Sequence, residues 1–283
     1  MGIPEELTRS VLITGAARGI GRATAEAFAQ AGWNVVAGVR DPAQLVPFES
    51  DGIRVVALDV TDRDSVRAGV GQASTLAGGP LTCVVNNAGW APFGAVEDID
   101  LDVARRAFET NLFGAVAVLQ AAMPAMRERG HGVLVSVSTL SGRIPLPLFG
   151  MYSATKLSLA AVSEALALEV APFGLRVVLI EAGVVDTEFA RSTVISGSAG
   201  EPSSVYAGTR DRVLGELRGI RQRAPVRAED VARTIVEAVE NDGAPFRHVL
   251  PDDGLRSLTQ EVGGPSPHAH ELVRRFLKLE SAE

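Results

Sequence analysis

The chain is poor in several residue types, and each shortage excludes something. Its 283 residues include one cysteine, two tyrosines and two lysines, and aromatic residues make up 5%. The single cysteine, Cys83, excludes an internal disulfide and is predicted to fill core space. No run approaches the ~18 apolar residues of a membrane span, and the first residues lack the pattern of a secretory leader. We therefore expect a cytoplasmic protein with no membrane partner.

Charge and composition narrow the class further. The net charge is −7 and no basic run is present, so a nucleic-acid partner is not expected. Hydrophobic residues make up 46% and charged residues 22%, which allows a substantial core within one domain. We assign no metal ligands. The composition indicates an ordinary globular protein whose partner is a small molecule.

Short apolar runs alternate with amphipathic segments along the chain. Strands are predicted over 10–14, 34–39, 53–58, 81–85, 132–137, 175–180 and 247–250. Helices are predicted over 19–31, 62–77, 101–128, 152–170 and 228–241, with a short charged helix over 211–223. Several strands read as continuous Val, Ile and Leu, which a parallel sheet covered on both faces requires. The pattern predicts an α/β fold with a doubly wound parallel sheet (Rossmann fold), whose ligand crevice lies beyond the carboxyl ends of the strands.

Domain organisation is expected to be simple. One dinucleotide-binding domain is predicted over 1–283. Within it, 187–225 is interpreted as a substrate lid, because 192–208 is rich in Ser and Gly and looks loose. A C-terminal extension is predicted over 252–283, where an amphipathic stretch at 271–277 would cover the pocket or a subunit interface.

Three glycines follow the first predicted strand. Gly15, Gly19 and Gly21 have the spacing G-x-x-x-G-x-G, a variant of the dinucleotide-binding fingerprint. Glycine permits a tight turn and close approach of the backbone to a pyrophosphate, whose charge the first N–H groups of the next helix would face. The alternative is a purely structural strand-to-helix turn.

Tyr152 and Lys156 are four residues apart, in a chain with two residues of each type. This spacing places both side chains on one face of a helix. A phenol with a pKa near ~10 exchanges protons poorly at neutral pH, but a neighbouring ammonium lowers that pKa. The pair is therefore a candidate proton-transfer site. The alternatives are an ordinary core or surface tyrosine and a solvated lysine.

Four ordered motifs resemble those of the short-chain dehydrogenase/reductase family, over about residues 11–189. They are Thr14–Gly21, Asn86-Asn87-Ala88-Gly89, Asn111 and Tyr152-Ser153-Ala154-Thr155-Lys156. The resemblance implies a reversible redox reaction between a carbonyl and an alcohol with a nicotinamide cofactor. An epimerase or dehydratase would instead be expected to show a larger substrate domain and another glycine spacing.

The resemblance also implies roles for individual residues. Tyr152 would donate the proton, Lys156 would lower its pKa and bind the nicotinamide ribose, and Asn111 would bend its helix and hold a water. The family's substrate-holding serine corresponds here to Thr139, with Ser138 as the alternative; neighbours on a strand point to opposite sides, which favours Thr139. Asn111 has the alternative of an ordinary buried polar residue. Where the family has proline before Gly183, this chain has Ala182, so that loop is expected to be less rigid.

Charge near the second strand suggests which cofactor is bound. Val39 stands where relatives that prefer NAD carry an acidic residue, and Arg40 follows it. Arg18 and Arg40 would suit a 2′-phosphate, so NADP is preferred and NAD remains possible; the alternative is two solvated arginines. Asp59 and Val60 would contact adenine, unless Asp59 only caps the next turn. The full predicted cofactor set is Gly15, Arg18, Gly19, Ile20, Gly21, Arg40, Asp59, Val60, Asn87, Ala88, Gly89, Tyr152, Lys156, Gly183, Val184 and Thr187.

The substrate is less constrained by the sequence. Apolar residues near the expected crevice suggest a pocket for a bulky ketone or secondary alcohol, although each is as well explained as core; they are Trp90, Phe93, Leu146, Leu148, Phe149 and Phe189. Arg143 would suit an acidic substrate, but a solvated loop arginine is favoured. A homo-oligomer, dimer or tetramer, is expected. The rival hypothesis is a non-catalytic NAD(P)-binding redox sensor or regulator, against which Tyr152, Lys156 and Asn111 argue.

Overall fold

The computed structural model describes residues 7–223 and 226–250. Its strands are β1 (Ser10–Thr14), β2 (Asn34–Val39), β3 (Arg54–Ala57), β4 (Cys83–Asn86), β5 (Ala91–Phe93), β6 (Gly132–Thr139), β7 (Leu175–Ala182), β8 (Val185–Asp186), β9 (Thr193–Ile195), β10 (Val226–Arg227) and β11 (Arg247–Leu250). Its helices are α1 (Gly19–Gln30), α2 (Arg63–Leu76), α3 (Leu101–Phe108), α4 (Ala115–Arg129), α5 (Gly150–Val170), α6 (Ala207–Arg223) and α7 (Ala228–Glu240).

The predicted doubly wound parallel sheet is confirmed. Seven strands pair in the order β11-β7-β6-β4-β1-β2-β3, and every neighbouring pair is parallel. The strand order reverses between β1 and β4. Loops leaving two neighbouring strands on opposite faces open a crevice at that point, which is where such sheets bind ligands.

Side chains alternate along the strands, so each strand contributes to two separate cores. Val11 and Ile13 of β1 belong to one apolar cluster with α1 and α7, whereas Leu12 belongs to the other with α2, α4 and α5. Both faces of the sheet are therefore buried. This explains why the strands read as continuous apolar runs instead of alternating ones.

The element boundaries agree closely with the sequence-based prediction at three strands and differ where the site is built. β1, β2 and β11 have the predicted limits, while β6 and β7 each run two residues further, to Thr139 and Ala182. The predicted helix over 101–128 is interrupted by a π-helical turn at Glu109–Gly114. Pairing between β6 and β7 therefore continues to the level of the predicted catalytic residues.

The segment 192–208 is more ordered than its composition suggested. It contains β9, which pairs with β5, and a 3₁₀ turn at Gly197–Gly200. Helix α6 begins at Ala207, four residues before the predicted start. Strands of two or three residues show no periodicity, so the sequence could not reveal β5, β8, β9 and β10.

Two further points bear on the domain prediction. Among the described residues, no helix is long and apolar enough to cross a membrane. The predicted extension over 252–283 lies outside the described residues, as do positions 224 and 225 of the predicted lid.

Candidate active site

The glycine turn lies at the crevice between β1 and β4. Gly15 and Gly19 have φ values of +65° and +57°, in the left-handed region that side chains disfavour. A Cβ on Gly15 would lie 2.9 Å from the Cα of Ala88, and one on Gly21 would overlap the Asn87 amide and the Gly15 carbonyl. The turn is thus closely packed against the segment after β4, and only glycine fits there.

Asn87 and Thr14 fix the two segments to each other. The Asn87 side chain donates from Nδ2 to the carbonyl oxygens of Thr14 and Gly15, at 3.0 and 3.1 Å. The Thr14 hydroxyl oxygen accepts from the backbone N–H groups of Asn87 and Ala88, at 3.0 and 3.1 Å. Thr14 belongs to the predicted motif Thr14–Gly21 but not to the predicted cofactor set; a hydroxyl at the end of an apolar strand was the signal for this role.

The start of α1 can receive an anion. Arg18 is its N-cap residue, and no side chain caps the first N–H groups. Ile20 is half-buried and packs on the core. The Arg18 guanidinium donates from Nη2 to Ser192 Oγ at 2.6 Å, and Arg40 is exposed directly after the buried Val39. The glycine turn and the uncapped N–H groups at the start of α1 fit a pyrophosphate. The site is therefore compatible with a dinucleotide cofactor.

Asp59 and Val60 both have structural contacts. Asp59 Oδ1 accepts from the backbone N–H of Thr61 at 2.9 Å and from its hydroxyl at 2.7 Å, so it does cap the turn after β3. Val60 is buried, and a Cβ on Gly114 would lie 2.8 Å from its Cβ. The adenine contact of Asp59 and Val60 stays a prediction.

The loop after β7 returns to the glycine turn. Gly183 donates its N–H to the carbonyl oxygen of Leu250 at 2.7 Å, and Val184 is half-buried beside it. A Cβ on Gly19 would lie 3.5 Å from the Thr187 Cβ. The predicted nicotinamide loop and the predicted pyrophosphate turn therefore touch.

Tyr152 and Lys156 lie in the first two turns of α5, and both side chains are buried. Burial raises the pKa of Tyr152 above its ordinary value, although a hydrogen bond with Thr139 opposes this. Burial lowers the pKa of Lys156 to about 8. Lys156 Nζ donates to the Val137 carbonyl at 2.8 Å. The net shift of the Tyr152 pKa in this structure is upward, because desolvation outweighs the hydrogen bond with Thr139. The effect of Lys156 on this pKa stays a prediction.

Thr139 and Ser138 face opposite sides of β6. The Thr139 hydroxyl lies beside that of Tyr152, donates to the Ala182 carbonyl at 2.9 Å, and accepts from the Ser141 N–H at 3.3 Å. Ser138 Oγ instead donates to the Lys156 carbonyl at 3.3 Å, under the helix. Of the two hydroxyls, that of Thr139 is the one beside Tyr152.

Asn111 lies within the π-helical turn and is fully buried. Its Oδ1 accepts from the Trp90 N–H at 3.0 Å, while Nδ2 donates to the Trp90 carbonyl at 2.9 Å and to Thr155 Oγ1 at 3.0 Å. A Cβ on Gly89 would lie 3.0 Å from Asn111 Oδ1 and 3.4 Å from Lys156 Nζ. Asn111 therefore joins the segment after β4 to the helix that carries Tyr152 and Lys156.

Arg143 is neither a solvated loop residue nor free to meet an acidic substrate, because it is paired. Its Nε lies 3.0 Å from a carboxylate oxygen of Glu181, whose side chain is 2% exposed. Arg247 contacts the same carboxylate and also Glu164 of α5. Burial raises the pKa of Glu181, and the two arginines oppose that shift. This network was not predicted from the sequence. The signal for it was Glu181, a glutamate near the end of a mostly apolar strand.

The apolar residues predicted near the crevice divide into core and pocket. Phe93 and Leu148 are buried together with Ala199, Leu146 packs against Val213 of α6, and the Trp90 indole donates to Thr110 at 3.0 Å. Phe149 and Phe189 each contact Tyr152, with ring centroids 6.3 and 5.8 Å from its own. These two residues therefore bring apolar surface to the predicted proton donor.

A strained residue precedes this aromatic group. Leu148 has φ +67°, the one positive value at a non-glycine residue in the described part of the chain. A left-handed conformation costs a side-chain-bearing residue roughly 1–2 kcal/mol. Its carbonyl accepts from the Gly94 N–H at 2.9 Å, and its side chain is buried. Packing therefore holds a strained turn that places Phe149 next to Tyr152.

The sheet is doubly wound, the glycine turn lies where its strand order reverses, and the buried Tyr152 and Lys156 lie beside that turn. This combination is characteristic of nucleotide-binding oxidoreductases. Comparison with known proteins agrees. The family model for short chain dehydrogenases matches residues 9–195, and the chain belongs to that family. It is thus an NAD(P)-dependent oxidoreductase acting on CH–OH and C=O groups.

Three relatives illustrate the similarity. The chain is 33% identical to an oxidoreductase named BOA17 from Botryotinia fuckeliana, with 88% of this chain and 91% of the relative covered. It is 33% identical to a 3-ketodihydrosphingosine reductase from Bacteroides thetaiotaomicron, with 84% and 86% covered. The crystal structure of a short-chain dehydrogenase from Streptomyces avermitilis has a TM-score of 0.80 at 31% identity, with 97% and 98% covered.

Proposed function

We propose that this protein is an NADP-dependent carbonyl reductase, or secondary-alcohol dehydrogenase, that acts on bulky apolar substrates. The observation that carries the proposal is the buried Tyr152 hydroxyl, which lies beside the Thr139 hydroxyl at the carboxyl edge of the sheet. Two hydroxyls at one point can hold a carbonyl oxygen between them. Tyr152 is placed to deliver the proton that this oxygen needs.

Lys156 and Asn111 complete the proposed catalytic group. In the reduction direction the nicotinamide cofactor supplies the hydride. Tyr152 gives its proton to the carbonyl oxygen, and Thr139 orients that oxygen. The phenolate left behind is favoured by a positive charge, which Lys156 provides when protonated. Because the pKa of Lys156 is lowered to about 8, its ammonium exchanges protons near neutral pH, and Asn111 would hold the water that relays them.

The cofactor would be held by residues of several loops. Gly15, Gly19, Ile20 and Gly21 would receive the pyrophosphate, and Asn87, Ala88 and Gly89 would pass beneath the adjoining ribose. Lys156 and Tyr152 would bind the nicotinamide ribose, and Gly183, Val184 and Thr187 the nicotinamide itself. Asp59 and Val60 would contact adenine.

NADP preference follows from charge at the end of β2. A carboxylate that binds ribose hydroxyls would repel a 2′-phosphate, and Val39 stands at that position. The exposed guanidinium of Arg40 and that of Arg18 would pair with the phosphate. A charge-assisted pair of this kind is worth roughly 1.5–3 kcal/mol, which corresponds to about a ten- to hundredfold preference for NADPH over NADH.

Steady-state kinetics on a panel of ketones and alcohols, followed by NADPH absorbance, tests the proposal. We expect Arg40→Ala to raise the KM for NADPH about tenfold or more and to leave that for NADH nearly unchanged. Adding Val39→Asp should invert the preference. Arg67→Ala is the matched control, since Arg67 is an exposed arginine that pairs with Asp64 on α2. Wild-type enzyme that prefers NADH would reject the cofactor assignment.

The substrate class rests on apolar surface. Phe149 and Phe189 contact Tyr152, and Leu146 and Phe149 contact α6. The described part of the proposed lid, 187–223, therefore lies against the segment that leads to Tyr152. The name of the Bacteroides relative, 3-ketodihydrosphingosine reductase, supports a ketone as the substrate class.

We also propose a cytoplasmic homo-oligomer. Large apolar side chains are exposed along α3, α5 and the π-helical turn between α3 and α4, and a second copy would cover them; they are Leu101, Phe113, Leu157 and Leu168. A cavity of about 330 Å³ opens among Phe108, Phe113 and Met151 on this surface. Light scattering that shows a monomer at micromolar concentration would reject the oligomer.

A further inference from the structure

Aromatic rings are scarce in this chain, yet four of them are in continuous contact at the candidate active site. Phe93 packs on Phe149 with ring centroids 4.9 Å apart, Phe149 on Tyr152 at 6.3 Å, and Tyr152 on Phe189 at 5.8 Å. The rings come from β5, from the start of α5, and from the 3₁₀ turn Glu188–Ser192. Three separate segments thus bring rings to the proton donor.

The four rings differ in exposure along the row. Phe93 is 1% exposed and closes the inner end, Phe149 is half-buried, and Phe189 is 37% exposed at the outer end. The outer end is therefore the part that an incoming molecule can reach. A ligand whose oxygen approaches the Tyr152 hydroxyl comes close to the Phe149 and Phe189 rings, because both rings contact that of Tyr152.

Both flanking rings are held in place by the backbone. Phe149 follows the strained Leu148, whose carbonyl bonds to the Gly94 N–H. The Phe189 N–H donates to Thr187 Oγ1 at 3.2 Å, and Thr187 in turn lies against Gly19 of the glycine turn. Strained or tightly determined backbone next to a reactive group is characteristic of a ligand clamp.

We propose that Phe189 is a specificity-determining residue that, with Phe149, selects substrates carrying a flat aryl or conjugated group on the reacting carbon. This inference rests on the proposed function and names its substrate class more closely. Aromatic rings attract other rings in offset-stacked or edge-to-face arrangements beyond the effect of buried area, whereas a saturated ring gains only the burial. The expected selectivity from one such contact is about three- to tenfold.

The test compares acetophenone with cyclohexyl methyl ketone, which have the same skeleton and differ in the flatness of the ring. Intrinsic reactivity cancels when the ratio of their kcat/KM values is compared between variants. We expect Phe189→Leu to lower the ratio of kcat/KM for acetophenone to that for cyclohexyl methyl ketone about three- to tenfold, because the rate on the aryl ketone falls more than that on the cyclohexyl ketone. Phe189→Tyr, which keeps a ring, should restore the ratio.

Phe173→Leu is the matched control. Phe173 is exposed, contacts Arg127, and lies beyond the far end of α5, so its removal should leave the ratio unchanged. If Phe189→Leu lowers both rates equally, Phe189 only supports the fold of its turn and the proposal is overturned. An unchanged ratio overturns it as well.

A binding measurement separates this inference from the proposed function. Calorimetric binding of each ketone, with and without NADP⁺, reports ring selectivity without turnover. Selective binding of acetophenone that Phe189→Leu abolishes, in a protein that reduces neither ketone, would reject the proposed function and keep the aryl preference. Turnover of both ketones with equal binding by wild type and Phe189→Leu would reject the aryl preference alone.

Discussion

The sheet region and the lid region of this protein are held together differently. The sheet region, which comprises the seven-stranded sheet with α1, α2, α4, α5 and α7, buries two large apolar clusters in which most members have almost no exposed surface. The lid region, residues 187–223, packs through two small clusters around Ala199 and Val213, and several of its apolar side chains are exposed.

This difference in packing places the proposed catalytic residues and the proposed substrate-selecting residue in different regions. Packing on both sides of the sheet fixes the proposed catalytic residues Tyr152, Lys156 and Thr139, and a small displacement of a catalytic group lowers the rate strongly. The lid region removes less apolar surface from water, so its contacts contribute less to stability. The proposed proton donor therefore belongs to the strongly packed region, and the proposed selector Phe189 belongs to the weakly packed one.

Tyr152→Phe should give the largest effect and would show whether the chemistry depends on the sheet region. The substitution removes one oxygen and keeps the ring contacts with Phe149 and Phe189. We expect kcat to fall at least ~10²-fold while the dissociation constant of NADPH stays within a few-fold. Single-turnover kinetics and fluorescence titration measure the two quantities. Near-normal turnover would rule out Tyr152 as the proton donor.

A matched pair of substitutions tests the packing difference directly. Val231 of α7 and Val213 of α6 are both fully buried, but Val231 lies in a large cluster and Val213 among half-buried partners. Val231→Ala should lower the free energy of unfolding by roughly 2–3 kcal/mol, from lost burial plus a cavity. Val213→Ala should cost less than about 1 kcal/mol, because its neighbours can collapse. Equal costs in urea unfolding would remove the distinction between the regions.

The two hydroxyls at the end of β6 offer a finer comparison within the sheet region. Thr139→Val removes the hydroxyl beside Tyr152 and keeps the side-chain shape, whereas Ser138→Ala removes a hydroxyl that faces α5. We expect Thr139→Val to reduce kcat/KM about tenfold more than Ser138→Ala. The opposite order, in steady-state kinetics on one ketone, would assign the role to Ser138.

The buried Lys156 predicts a pH dependence of stability. Its pKa is about 8 in the folded chain and ordinarily 10.5, so between these values the unfolded chain binds the extra proton. Stability should therefore rise with pH in that window, by at most about 1.4 kcal/mol per pH unit. Lys156→Met should lack this increment in urea unfolding at pH 8, 9 and 10. Parallel curves for the two proteins would contradict the lowered pKa.

Much of the fold was predictable because its signals are local. Continuous apolar runs indicated a parallel sheet, and β1, β2 and β11 have the predicted limits. The two-residue extensions of β6 and β7 were not predictable, since Ser138, Thr139 and Glu181 are polar and interrupt the apolar pattern. The pairing of β6 with β7 imposes the strand conformation on these residues. The short strands β5 and β9 likewise exist only because they meet.

The sequence by itself determined the class of the sheet, the glycine turn and the four-residue spacing of Tyr152 and Lys156. These depend on backbone freedom and on helical periodicity, which are properties of neighbouring residues. Only the tertiary structure decided which hydroxyl faces Tyr152, that Arg143 is held by the buried Glu181, and that Phe149 and Phe189 both contact Tyr152. Those contacts join residues that are far apart in the chain. Burial determines the pKa shifts of these side chains and the strength of their contacts, and it arises only when the sheet and its helices pack together.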